Sequence, residues 1–276
     1  MAERIIRSSK VRIDDISVSY YIKKATEPEK QVILFIHGFP FNKNSWRQQL
    51  ASLEDNITGL AVDVRGHGLS THGHGFFSID VFAKDLRSFM DALGIEKAIL
   101  CGVSMGGYIA LRTYELIPDR INGLILSDTQ HKADDNLAKQ KRFDSIQALL
   151  RYGRRPFALG FIDNLLAKKS IEAHPELVEF IKSSIRRNSI RGICATQLAL
   201  ASRTDSSALL AKINVPTLLL RGEEDKITPK AVMEEMHTAI AGSKFIEIPG
   251  TGHLPNLEDP LAFNKEINLY LLTHSR

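Results

Sequence analysis

Cys101-Gly102-Val103-Ser104-Met105-Gly106-Gly107 lies between two stretches of opposite character. Before it, Ala98-Ile99-Leu100 is a short apolar run that reads as a buried strand. After it, Tyr108-Ile109-Ala110-Leu111-Arg112-Thr113-Tyr114 reads as a helix. Strand, G-x-S-x-G and helix together form a sharp turn that lifts a serine hydroxyl clear of a sheet. So tight a turn demands small neighbours, and Gly102 and Gly106 supply them two residues either side of Ser104. The same geometry aims the first backbone N–H groups of the helix, its positive end, at the space around the hydroxyl.

Working outward, the pattern on both sides alternates strands with helices. Lys10 to Lys24 alternates apolar and polar residues, with Asp14-Asp15 between the runs, and reads as a hairpin. Gln31 to Ile36 is a continuous apolar run, as a strand covered on both faces would be. It ends in His37-Gly38-Phe39-Pro40, and a helix is expected from a cap near Asn44 or Ser45 to about Leu53. Ile57 to Val62 is the next strand, ending in Asp63-Val64-Arg65-Gly66-His67-Gly68-Leu69-Ser70. Ser78 caps a helix through Leu93, which Gly94 stops. Beyond the serine turn, Ile121 to Leu126 is another strand, and it ends at Ser127-Asp128.

There the alternation breaks. From about Gln130 to Ala211 no buried strand is legible, only short amphipathic helices punctuated by Gly153, Pro156, Gly160, Pro175 and Gly192. The rhythm then resumes with Val215 to Leu220, a helix opened by Pro229 in its first turn, Ser243 to Ile248, and a last helix opened by Pro260. This pattern predicts an α/β fold with a mostly parallel eight-stranded sheet flanked by helices. Residues 1–129 and 211–276 are expected to form the core. Residues 130–210 are expected to form a helical cap inserted after the sixth strand and folded back over the carboxyl ends of the strands, where ligands bind in such sheets.

Composition is that of an ordinary soluble protein: 276 residues, 43% hydrophobic and 25% charged. The net charge of +4 lacks the clustered basic runs of a nucleic-acid binder. The positive excess sits in residues 129–210, with 14 Lys/Arg against 8 Asp/Glu. Cys101 and Cys194 show no disulfide or zinc spacing, which fits a reducing compartment. The N-terminus has no apolar signal region, and no apolar run reaches the length of a membrane span. A cytoplasmic protein, monomer or homodimer, with neither membrane nor nucleic acid as partner, is expected.

A serine hydroxyl needs a base within hydrogen-bond reach, and the base needs an orienting acid. His253, in the loop Pro249-Gly250-Thr251-Gly252-His253 after a strand, is the best base. Asp225, at the end of Arg221-Gly222-Glu223-Glu224-Asp225, is the best acid. Asp128 is its rival, and Glu224 is a weaker one. Two donors are needed for an oxyanion, and the Met105 and Phe39 N–H groups are placed to supply them. Pro40 cannot donate but stiffens that loop.

These motifs together resemble the α/β-hydrolase fold superfamily, and the chain order Ser104, Asp225, His253 is that superfamily's order. The resemblance covers residues 37 to 253. It points to the serine-nucleophile branch of carboxylesterases, enol-lactonases and meta-cleavage C–C hydrolases. Ser104 argues against the dehalogenases and epoxide hydrolases, which place an aspartate there, while the His37–Pro40 loop also resembles that of cofactor-free perhydrolases. The implied activity is hydrolysis of a small ester or lactone through an acyl-enzyme, with no metal or organic cofactor. A C–C hydrolase or enol-lactonase of aromatic breakdown is the alternative, and a ligand receptor on the same fold is the non-enzymatic one.

Other features bear on the site. His67, His72 and His74 lie close in sequence but lack carboxylate or thiolate company for a metal. Trp46, with Phe41, is a candidate for the pocket mouth, although such a tryptophan commonly packs under its helix. Phe143, Phe157 and Phe161 are candidates for the pocket wall. The basic insertion would favour an anionic substrate by steering.

Overall fold

The computed structural model of the protein describes residues 5–274. Eight strands form one sheet: β1 (Arg7–Ile13), β2 (Ile16–Lys23), β3 (Gln31–Ile36), β4 (Ile57–Val62), β5 (Ala98–Val103), β6 (Ile121–Ser127), β7 (Thr217–Gly222) and β8 (Lys244–Ile248). Their order across the sheet is β1-β2-β4-β3-β5-β6-β7-β8. β2 runs antiparallel to both its neighbours, and every pair from β4 to β8 is parallel. The helices are α1 (Arg47–Ser52), α2 (Ile79–Ala92), α3 (Met105–Leu116), α4 (Asn136–Tyr152), α5 (Arg154–Leu165), α6 (Lys168–Ala173), α7 (Pro175–Arg187), α8 (Ile190–Ala201), α9 (Ser207–Leu210), α10 (Lys230–Ala239), α11 (Pro255–Glu258) and α12 (Pro260–Thr273). This is the mostly parallel α/β architecture the alternation predicts, with α4 to α9 inserted between β6 and β7.

The apolar runs explain which strands are central. Every residue of β4, β5 and β7 is buried, as a strand covered on both faces requires. Helix α2 shows how the cover is made. Ile79, Phe82, Ala83, Leu86, Phe89 and Met90 are buried at spacings of three and four, and Phe89 meets the ring of Tyr20 edge-on at 5.1 Å. Ser78 caps the helix by accepting the Val81 N–H at 3.1 Å, and Gly94, at φ +65°, follows its end. Truncating Phe89 to alanine would cost about 3–5 kcal/mol.

Two boundaries differ from expectation. The helix after β3 begins earlier, as a 3₁₀ turn over Lys43–Trp46, because the Asn42 side chain accepts the Asn44 N–H at 3.0 Å and becomes the cap. Pro229 stands just ahead of α10 in extended backbone rather than inside its first turn. No helix among the described residues is long and apolar enough to cross a membrane.

Candidate active site

Each residue singled out for chemistry lies just beyond the carboxyl end of a parallel strand. Phe39 follows β3, Ser104 follows β5, Asp128 follows β6, Asp225 follows β7 and His253 follows β8. Ser104 has φ +54° and ψ −116°, a conformation that costs a non-glycine residue about 1–3 kcal/mol and is held only by its surroundings. Its N–H donates to Ser127 O at 2.9 Å, and Thr129 Oγ1 donates to Ser104 O at 2.8 Å. The flanking glycines are steric necessities. A Cβ on Gly102 would stand 2.3 Å from the Gly106 carbonyl, and one on Gly106 would stand 2.1 Å from Ile36 O. Helix α3 starts at Met105, and the Gly107 and Tyr108 N–H groups donate to the Ser104 carbonyl, which leaves the Met105 and Gly106 N–H groups without a partner within the helix.

His253 Nδ1 lies 2.9 Å from Asp225 Oδ2 and 3.0 Å from Oδ1, with both side chains buried. Asp225 Oδ1 also accepts the N–H groups of Ile227 at 2.8 Å and Thr228 at 3.2 Å. Burial works against the Asp225 charge, but His253 and these amides outweigh it and hold the carboxyl below its ordinary range. An ionised carboxylate only accepts. Nδ1 therefore carries the proton, which leaves Nε2 of the neutral ring as an acceptor.

The loop carrying His253 is docked on the insertion. The His253 N–H donates to Leu165 O at 2.7 Å. Glu258, buried in α11, accepts the Gly252 and Leu254 N–H groups on Oε1, at 2.9 and 3.3 Å, and the Ala167 N–H on Oε2 at 2.9 Å. A Cβ on Gly252 would lie 2.6 Å from Ala167 N, so only glycine lets the two segments approach. Asn188, between α7 and α8, makes a second tie: it donates to Pro40 O at 2.6 Å and accepts the Gly68 N–H at 2.9 Å. Sequence reading missed both residues. Glu258 had a faint signal, as it ends the short Pro255–Glu258 helix directly after the histidine loop. Asn188 had none.

A cleft of about 550 Å³ brings Ser104, Met105, Phe39 and His253 together. Phe161, Leu165 and Leu200 give it an apolar wall, while Lys141, Arg142 and Lys226 give it cations. Arg142 is paired with Asp134, which Arg203 also bonds at 2.5 Å, and Lys226 donates to Asp163 O at 3.1 Å. Phe157 stands behind this wall, edge-on to Phe39 at 6.4 Å and 4.8 Å from the Phe161 ring.

Two aromatic positions need correcting. Trp46 is fully buried against Phe35 at 5.0 Å and Phe263 at 6.1 Å, and it packs under its helix instead of lining the cleft. Phe143 is exposed. Ala138, Lys141, Arg142 and Ser145 form the cleft-facing stripe of α4, and position 143 falls about 100° round the helix from Arg142.

The remaining candidates separate cleanly. Glu224 is exposed, turned away from the imidazole by the one-residue step from buried Asp225. Asp128 is buried beside Asp225. His67 is buried against His37, ring to ring at 5.2 Å; His72 bonds Ser189 at 2.7 Å; and His74 faces Asp15 at 3.6 Å. His37 accepts the Val64 N–H on Nε2 and donates from Nδ1 to Gly38 O, and burial pushes it down to about 4. Asp63 accepts from the backbone and side chain of Lys43, at 2.7 and 2.6 Å. These histidines and ion pairs shape the loops after β3 and β4.

The family model described as the α/β hydrolase fold matches residues 31–260, and the chain belongs to that family. It is 29% identical over 241 residues to the 3-oxoadipate enol-lactonase 2 of Acinetobacter baylyi, covering 87% of this chain and 88% of that one. It is 28% identical to a putative non-heme chloroperoxidase of Synechocystis, over 82% of this chain and 86% of the other. Among solved structures it resembles a thermophilic esterase from Thermogutta terrifontis, solved with malate bound: TM-score 0.91, 32% identity, 98% of this chain and 100% of that one. The protein is a hydrolase of this fold.

Proposed function

We propose that the protein hydrolyses small carboxylic esters by acyl transfer, with Ser104 as nucleophile, His253 as base and Asp225 as orienting acid. The observation that carries this reading is the bond between His253 Nδ1 and Asp225, in a cleft that also holds the strained Ser104. His253 Nε2 takes the Ser104 proton as Oγ adds to the substrate carbonyl. The N–H groups of Phe39 and Met105 bind the oxyanion. The tetrahedral intermediate collapses, His253 protonates the leaving alkoxide, and the acyl group remains on Ser104. Water, deprotonated by His253, then attacks the acyl-enzyme and releases the acid.

A second reading, a lactone or C–C substrate bearing a carboxylate, is favoured by the cations of the cleft. Lys141 and Arg142 are side chains of the insertion, and Lys226 joins them from the loop after β7. The relatives named enol-lactonases fit this reading. The test is initial rates on p-nitrophenyl esters from acetate to decanoate, beside a half-ester of a dicarboxylic acid, with Ser104→Ala as control. Turnover of neutral short esters that vanishes in the variant supports the ester reading. Strong preference for the anionic half-ester supports the second. No turnover of any ester by the intact protein overturns the ester reading.

A further inference from the structure

Asp128 is a carboxylate of the site that the acyl-transfer scheme leaves idle. It is fully buried at the end of β6, at φ +48°. Its Oδ1 accepts the Gly222 N–H at 2.8 Å, and its Oδ2 accepts the Ser127 hydroxyl at 2.5 Å. Its backbone carbonyl accepts Thr228 Oγ1 at 2.9 Å. Asp128 is thus anchored before and after the turn that carries Asp225. One oxygen of Asp128, one of Asp225 and one ring nitrogen of His253 lie within 4.8 Å of one another. Asp225, from the loop after β7, and His253, from the loop after β8, are the titratable groups that face it; Ser127 and the Gly222 amide are neutral donors. Burial first, and the Asp225 charge second, push the Asp128 carboxyl well above its ordinary range. Both of its oxygens already accept a hydrogen bond, and two carboxylates buried this close to each other do not both ionise readily, which favours a proton shared between them.

We propose that Asp128 is a positioning residue and a reserve acid: it donates to Asp225 and so fixes that carboxylate toward His253, and where Asp225 is removed its own carboxylate accepts the His253 Nδ1–H. Removing Asp225 takes one negative charge from the site. Asp128 then releases its proton to solvent, and the charge beside the imidazole is restored. The kinetic part of this inference rests on the acyl-transfer reading, while the spectroscopic part does not.

The test compares Asp225→Ala, Asp225→Asn and the double variant Asp128→Asn/Asp225→Ala. It reads kcat on p-nitrophenyl acetate and the downfield proton resonance of a histidine Nδ1–H bonded to a carboxylate. Asp225→Ala is expected to keep that resonance and to turn over at least about tenfold faster than the double variant, which loses it. Asp225→Asn is expected to be slower than Asp225→Ala, since the new amide donates to Nδ1 and imposes the wrong tautomer. Loss of the resonance in Asp225→Ala, or equal rates in Asp225→Ala and the double variant, overturns the proposal. If the intact protein cleaves no ester, or the double variant does not fold, the resonance in Asp225→Ala alone decides: its presence supports the reserve acid and its absence overturns it.

Discussion

The loops at the carboxyl ends of the strands and the outer surface of the helical insertion handle charge in opposite ways. In the loops, charged groups are paired in the interior: Lys43 with Asp63 and Arg65 with Asp85 as buried ion pairs, and the Asp225 carboxylate with the His253 imidazole. Breaking such a pair strands a charge and costs about 3–5 kcal/mol. On the outer helices of the insertion, pairs such as Lys168–Glu172 and Arg186–Glu179 lie open to solvent and are worth about 0–1 kcal/mol each, while the Arg203–Asp134 pair beside the cleft is buried. Large apolar side chains, Leu137, Leu150 and Leu159 among them, are exposed there as well. The first region has little freedom to vary without losing its geometry, while the second can change its surface freely. Under the proposed acyl-transfer function, this contrast is a division of labour in which strand-end loops hold the reacting groups and the insertion selects what reaches them.

The sharpest way to break that division is to strike the chemistry. Ser104→Ala and His253→Ala should each lower kcat on p-nitrophenyl acetate by about 10⁴-fold or more, with urea unfolding little changed. Retention of half the activity in either would place the chemistry elsewhere. The next largest effect is expected where the two regions meet. Glu258→Gln replaces one of the oxygens that bind Gly252, Leu254 and Ala167 with an amide that must donate toward an N–H. A base misplaced by this much can lose up to about 10² in kcat, and unfolding should become easier by about 1–3 kcal/mol. An effect on KM alone, measured by steady-state kinetics, would show that the insertion touches substrate but does not steady the base.

The elbow and the two side chains that meet were legible from residues alone because each is written locally. Glycines two residues either side of Ser104 are demanded by backbone contacts of 2.1 to 2.3 Å, and no other residue fits. The strand ends are likewise written, as apolar runs that stop at polar loops. Contacts across the sheet carry no such local signature. Asp128 and Asp225 read as rivals in sequence, yet β6 and β7 are neighbours in the sheet and set the two carboxyls side by side. Asn188 and Glu258 act through backbone groups of distant loops, and a backbone amide has no letter of its own. Trp46 and Phe143 are not placed by sequence alone, because residue type says that an aromatic ring wants cover without saying which surface gives it. For Phe143 the helical phase holds the answer, since Ala138, Lys141, Arg142 and Ser145 share a face that excludes it.

The division also predicts that altering the insertion's charge changes preference and leaves chemistry alone. Lys141→Gln removes a cation from the cleft-facing stripe of α4. The variant should lose about tenfold in kcat/KM for a dicarboxylic half-ester, through a charge-assisted contact, and less than about twofold for p-nitrophenyl acetate. Equal losses on both substrates would mean that Lys141 supports the fold of α4 instead of sorting substrates.

The smallest effect expected is a slope, and it probes the buried loops without touching the reaction. His37 is neutral when folded, with both ring nitrogens bonded, and burial lowers it to about 4; burial and the neighbouring His37 lower His67 to about 3. An unfolded histidine titrates near ~6.5. Above that pH neither state takes up a proton at these positions, and their contribution to stability is fully present. As pH falls below it, the unfolded chain binds protons that the folded chain refuses, so stability drops by up to ~1.4 kcal/mol per pH unit for each histidine. For His37 the drop ends once the folded ring also titrates, near pH 4. His37→Gln keeps an acceptor for the Val64 N–H and removes the titration. Urea unfolding between pH 7 and 5 should show a lower stability overall but a slope shallower by up to ~1.4 kcal/mol per unit. An unchanged slope would mean that the folded loops admit a charged imidazole, and the contrast between a sealed set of strand-end loops and an adaptable insertion would fail at its base.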